Sequence, residues 1–218
     1  MTRTTTRLFD SHSEAVQAVE DLERSGISHD RISLVSNNAD ESHRPGENPS
    51  WDASGHLGDH DGDGDNDVAE GAGKGAAAGG LLGGGTGLLV GLGLLAIPGV
   101  GPVVAAGWLA STAAGAAVGA VAGGATGGLL GAMTDAGHSD EEAHVYSEGV
   151  RRGGSLVSVK ADDGDADRIE QVLNGRRGVD ASTRGDAYRQ SGWDRFDPDA
   201  QPMSRDEIAR ERQMYQIY

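Results

Sequence analysis

Residues 59–70 gather Asp59, Asp61, Asp63, Asp65, Asp67 and Glu70 around Gly62 and Gly64. The run fits D-x-[DN]-x-[DN]-G-x5-E, the loop of an EF-hand. Carboxylates of Asp59, Asp61, Asp63 and Glu70, with the backbone carbonyl of Asp65, supply the oxygen ligands that Ca²⁺ requires, and Gly64 permits the sharp turn. Asn66 occupies the eighth position, where such loops carry an apolar residue, and residues 51–58 show no helical pattern leading in. The first reading of this run is a solvated acidic linker. The alternative is a weak Ca²⁺ site, in the ~10⁻⁴–10⁻³ M class.

Other reactive chemistry is sparse. The chain has no cysteine, which removes disulfides, thiolate nucleophiles and Cys-ligated metals. His56 and His60 stand four apart but in the same polar stretch, and His12, His29, His43, His138 and His144 are scattered. No G-x-S-x-G elbow occurs, and Gly73-Lys74-Gly75 lacks the Ser/Thr of a phosphate loop. The sequence therefore predicts no catalytic residues, no enzyme and no cofactor beyond that weak Ca²⁺. A net charge of −16 opposes nucleic acid as a partner, because phosphate needs a basic surface.

The elements that must hold these residues fall into three blocks. Glycine accounts for 36 of 218 residues, well above the usual ~7 %, and most of it lies in a centre (75–134) with no charged side chain. Ile97-Pro98-Gly99-Val100-Gly101-Pro102 reads as a turn. The runs 71–96 and 103–134 on either side would make helices of roughly 39 and 48 Å at ~1.5 Å per residue, enough for a ~30 Å hydrocarbon core.

Gly71, Gly75, Gly79, Gly83, Gly87 and Gly91 recur every four residues, as do Gly107, Ser111, Gly115, Gly119, Gly123, Gly127 and Gly131. On helices each set forms one small-residue groove, which lets two backbones approach closely. Two environments satisfy such grooves. One is a bilayer holding the hairpin, with both flanks on the cytoplasmic side of the inner membrane. The alternative is a cytoplasmic assembly in which hairpins are buried between subunits. Membrane lipid and further copies of the chain are thus the expected partners. The start, MTRTTTRLFD, has no apolar stretch and predicts no signal peptide.

The polar flanks read as halves of one small domain. Thr4–Phe9 is strand-like. Ser11 and Glu14 make a capping box before Ala15, Ala18, Val19 and Leu22, spaced as one helical face. Gly26 stops that helix, and Ile32 and Leu34 begin a second strand. In the second flank Ser139 and Glu142 cap a helix through Val150, Gly153-Gly154 stops it, Leu156–Lys160 is a strand, Asp165–Leu173 a helix, and Val179–Thr183 a short strand. Neither unit alone buries enough apolar surface to stand. The expected fold is α+β, a split ferredoxin-like domain (β-α-β plus α-β-α-β) interrupted by the Gly-rich helical hairpin. The expected organisation is a first half at 1–38, an acidic disordered linker at 39–70, a hairpin at 71–134, a second half at 135–184 and a tail at 185–218. Ser204 and Glu207 cap a short helix in that tail, read first as a strap on the sheet domain.

Thr6-Arg7-Leu8-Phe9-Asp10, the capped helix and Ile32-Ser33-Leu34-Val35-Ser36-Asn37-Asn38 together resemble the bacterial heat-induced general stress protein domain of the YflT type. Leu94-Leu95-Ala96-Ile97-Pro98-Gly99-Val100-Gly101-Pro102, Gly149-Val150-Arg151-Arg152-Gly153-Gly154 and Ser191-Gly192-Trp193-Asp194-Arg195-Phe196 are similar to stretches of bacterial relatives. The resemblance implies a non-enzymatic, stress-linked protein and carries over no active-site residue.

Overall fold

The structure, a computed structural model, describes residues 2–39, 94–97, 99–110, 112–113, 128–162 and 164–215. It is a mixed α+β fold on an antiparallel sheet. Strand β1 (Thr2–Phe9) leads into helix α1 (His12–Arg24), capped by the Ser11 hydroxyl, which accepts from the Glu14 amide. Strand β2 (Ile32–Asn37) follows. The centre contributes β3 (Leu94–Ile97) and β4 (Gly101–Gly107). The second flank supplies α2 (Leu129–Asp135), α3 (Asp140–Arg151), β5 (Ser155–Asp162), α4 (Ala166–Gly175), α5 (Ala181–Gln190) and α6 (Arg205–Tyr215).

The sheet order is β1-β5-β2-β4-β3, with every neighbouring pair antiparallel. Strand β5 thus lies between β1 and β2. Side chains alternate across a strand, and three adjacent pairs show it. Leu8, Val35 and Leu156 enter one core, while Phe9, Leu34 and Val157 enter the other. The register sets Leu8 opposite Leu156 and Leu156 opposite Val35, a continuous apolar row. Helices α1 and α4 close the first face with Val19, Leu22, Ile169 and Leu173. Helices α2, α3 and α5 close the second with Leu129, Met133, Tyr146, Val150 and Tyr188.

The structure corrects the sequence reading in two places. The turn near Pro98 is present, but the chain beside it is strand rather than helix: β3 and β4 pair from Leu94↔Val104 to Ile97↔Gly101, and β4 pairs with β2 from Ser33↔Gly107 to Asn37↔Val103. Without this hairpin the outer edge of β2 would present unpaired backbone groups. Gly107, read as part of a helical groove, serves a close backbone approach instead. Its φ is +85°, and a Cβ there would lie 2.3 Å from the Ile32 carbonyl oxygen. Residues 108–110 and 112–113 are helical, and Gly131 lies in α2.

The second correction concerns Val179–Thr183. Val179 makes a single antiparallel bridge to Leu8, with Leu8 N to Val179 O at 2.9 Å and Val179 N to Leu8 O at 2.8 Å. The chain then turns helical, because the Asp180 carboxylate accepts from the Thr183 amide at 2.8 Å and so caps α5. An aspartate N-cap outweighs the weak strand preference of Ala181-Ser182-Thr183.

Candidate functional site

Helix α3 and the chain beyond α5 form an open cleft of about 320 Å³ lined by Glu148, Arg151, Arg152, Trp193, Arg195 and Asp197, among others. Local rules build its walls. The capping box of Ser139 and Glu142 starts α3, and Glu148, Arg151 and Arg152 follow at i, i+3 and i+4, so they share one helical face. Gly153, at φ +97°, ends the helix. Across the cleft, Gly192 at φ +88° turns the chain after α5, and the Trp193 amide donates to the Tyr188 carbonyl at 3.1 Å.

Glu148 is buried, its side chain only 3 % exposed. Its Oε1 accepts from Arg152 Nε at 2.7 Å and from Arg151 NH1 at 3.3 Å. Arg152 NH1 also donates to Glu211 of α6 at 2.9 Å, and its guanidinium lies 4.5 Å over the Tyr188 ring. Burial opposes the Arg152 charge, but Glu148 and Glu211 outweigh it and hold its pKa above the usual value. Arg195 Nε donates to His144 Nε2 at 2.7 Å and its NH2 to Asp140 at 3.1 Å. Burial, then the Arg195 charge, lowers the His144 pKa against Asp140 and the Phe196 backbone.

Two histidines meet hydroxyls in an arrangement that resembles nucleophile and base. His12 Nδ1 lies 2.7 Å from Ser36 Oγ, which donates to Ser155 Oγ at 2.6 Å. His138 Nε2 lies 2.8 Å from Thr6 Oγ1, which donates to Ser158 Oγ at 2.9 Å. Ser36 and Ser158 are fully buried and Thr6 nearly so. A nucleophile must touch its substrate, and these hydroxyls instead satisfy one another inside the sheet.

The third feature is where the uncharged centre joins this body. A Cβ on Gly99 would lie 2.7 Å from the Asp197 carbonyl oxygen, and one on Gly101 3.0 Å from the Pro202 side chain. The turn expected to cross a bilayer is therefore seated against the chain between α5 and α6. That last helix straps the same end of the sheet: Ile208 is buried, Arg212 donates to the Gly153 carbonyl, and Arg205 Nε donates to the Ala39 carbonyl at 2.8 Å.

Asp59, Asp61, Asp63, Asp65 and Glu70 lie outside the described residues, as do Gly75, Gly79, Gly83, Gly87, Gly91, Gly115, Gly119, Gly123 and Gly127. Among the described residues no group of His, Asp and Glu is placed to hold a metal ion, and no helix is long and apolar enough to cross a membrane. Sequence reasoning did not single out the cleft. Its signal was the i, i+3, i+4 spacing of Glu148, Arg151 and Arg152. The two stretches quoted for the family resemblance, 149–154 and 191–196, each supply residues that line it.

No family model, no curated protein and no solved structure matches the chain.

Proposed function

We propose that the protein is a non-enzymatic, self-assembling structural protein whose glycine-register runs pack between copies. Its sheet domain acts as the clasp for both runs. The observation that carries this reading is the β3–β4 hairpin zipped onto β2. It puts Asn37, Leu94, Gly107 and Leu129 in one folded body. Both ends of residues 40–93 therefore join that body, and so do both ends of residues 114–127. An even number of crossings is required, and a pair needs about 40 apolar residues. Within 40–93 only residues 75–93 are free of charge, and residues 114–127 are too few for even one crossing of about 20.

This geometry favours packing between copies over a bilayer-spanning hairpin, and the four-residue glycine register calls for close packing to recover its helix-propensity cost. Burial of Ser36, Ser158 and Thr6 supports the non-enzymatic part. The finer fold belongs to the same proposal. Taking the Val179 bridge as the remnant of a fourth strand, the order Val179-β1-β5-β2, with α1 and α4 on one face, is that of a split ferredoxin-like unit. A stress-linked role, implied by the resemblance, fits a protein of this kind.

The test is fractionation of the full chain followed by light scattering. The expected result is release by a carbonate wash and a discrete mass of several chains. Gly83→Leu with Gly87→Leu should lower that mass. Retention in the lipid pellet, or a monomer, would overturn the reading.

A further inference from the structure

The α3–α5 cleft is lined by three arginines and two carboxylates, Glu148 and Asp197, and Asp197 Oδ1 already accepts from the Asp199 amide at 2.9 Å. Glu148 serves two guanidiniums with one oxygen, and the shorter bond, 2.7 Å, goes to Arg152. Arg152 has a second carboxylate in Glu211, and Arg195 has Asp140. Arg151 is left with 3.3 Å contacts to Glu148 Oε1 and to the Gln201 carbonyl, both beyond the usual N–H···O distance. Its buried Nε has no acceptor among the described residues, and neither has the buried Nε1 of Trp193. Glu207, which feels the Arg151 charge, gives its Oε2 to the Ser204 amide and hydroxyl. Both orphaned groups at the cleft are therefore donors, and one of them belongs to a cation whose counter-charge is shared.

We propose that this cleft binds a small phosphate-type oxyanion, held by Arg151 with Arg195 and Trp193 beside it. The guanidinium fork matches two oxygens of such a group at once. By turning toward the opening, Arg151 exchanges two long contacts for two charge-assisted bonds. The site stands out because the chain as a whole carries −16, whereas three arginines outnumber the two carboxylates, Glu148 and Asp197, in the lining of this cleft. A purely structural role for Arg151, as a cation at the C-terminal end of α3, makes no use of the cleft and predicts no anion dependence.

Calorimetry of the full chain with inorganic phosphate, at ionic strength held constant with chloride, tests this. The expected result is one saturable site per chain and a thermal midpoint that rises with phosphate. Arg151→Gln should weaken binding about tenfold or more, the scale of one lost charge-assisted hydrogen bond. Trp193→Phe should weaken it less while the fold, read by circular dichroism, stays intact. If Arg151→Gln does not fold, Trp193→Phe with Arg195→Gln decides instead. No saturable heat at about 10 mM phosphate, a concentration that would half-fill even a very weak site, overturns the proposal. So does unchanged binding in the variants. Binding to phosphatidic acid vesicles without binding to free phosphate also overturns it, since the ligand would then be a lipid surface.

Discussion

One face of the sheet is closed by two helices, α1 and α4, and its core holds Phe9, Val19, Leu22, Ile32, Leu34, Val157, Ile169 and Leu173. The other is closed by α2, α3, α5, the chain after β4 and the loop around Phe196. The difference lies in what is buried with the apolar groups. Both faces bury hydroxyls, Ser36 and Ser155 on the first and Thr6 and Ser158 on the second. The second is bordered by buried His144, Glu148 and Arg184, and Arg184 reaches Asp10 at 2.8 Å. Apolar contact is non-directional and tolerates a short list of long elements. A face assembled from many short pieces needs directional bonds to fix each piece in place. Tyr146 illustrates this: its hydroxyl donates to the Thr6 carbonyl at 2.9 Å and accepts from the Ala181 amide at 3.2 Å, joining α3, β1 and α5.

The largest expected effects set the two faces against each other. Phe9→Ala removes a fully buried ring from the first face and should cost about 3–5 kcal/mol. The whole transition should move together, read as one urea midpoint by fluorescence and circular dichroism. Glu148→Gln keeps the shape of the second face but strips the charge shared by Arg151 and Arg152. Those side chains are 22 % and 14 % exposed, so the cost should fall below that of a fully buried pair, at about 2–3 kcal/mol. Hydrogen exchange should show it concentrated in α5 and α6. Equal, global losses in both variants would erase the distinction between the faces.

The first face was also the more legible one in sequence. Ala15, Ala18, Val19 and Leu22, and Ile169 with Leu173, follow the helical period, and Ser11 and Gly26 mark helix ends by local chemistry. Those signals lie within a dozen residues of what they specify. The second face depends on partners far apart in the chain: Ser33 with Gly107, Gly99 with Asp197, Glu148 with Glu211 through Arg152. No local period carries such pairs. The β3–β4 hairpin was missed for a related reason. Residues 94–107 are uncharged like their neighbours, and only the open edge of β2 turns them into strand. The cleft was half visible, as an i, i+3, i+4 charge pattern on α3 whose facing wall at 192–197 no spacing rule connects to it.

A smaller effect probes the seam where the centre joins the sheet. Gly107→Ala forces a Cβ to within 2.3 Å of the Ile32 carbonyl oxygen at a φ of +85°. Strain of this kind costs about 1–3 kcal/mol. The β2–β4 pairing should open first, so amides of residues 103–107 should exchange faster while those of α1 and α4 keep their protection. If α1 and α4 lose protection equally, the hairpin and the first face form one cooperative unit.

Acid should distinguish the faces with the gentlest perturbation. His138 and His144 both belong to the second face, in the approach to α3 and within it. His138 is held below the ordinary histidine value by burial, against Glu142; around it stand Thr6 at 2.8 Å and the edge of the Tyr146 ring. His144 is held down by burial and by Arg195, against Asp140 and the Phe196 backbone. Unfolding returns each imidazole to about 6.5. Below that value the unfolded chain binds more protons than the folded one, so stability rises with pH across the window. It is complete above about pH 7 and declines as pH falls through the ordinary histidine range. Asp165, Asp180 and Glu207 sit below their ordinary carboxylate values, which places their own loss lower, beginning near about pH 4. Urea midpoints taken from pH 8 to pH 3 should therefore fall in two steps. The double variant His138→Gln with His144→Gln should flatten the upper step and leave the lower one, while Phe9→Ala should shift the whole curve down and keep both. A flat midpoint between pH 7 and pH 5 in the unmodified chain would mean that these imidazoles meet water in solution, and that the second face is looser than its packing shows.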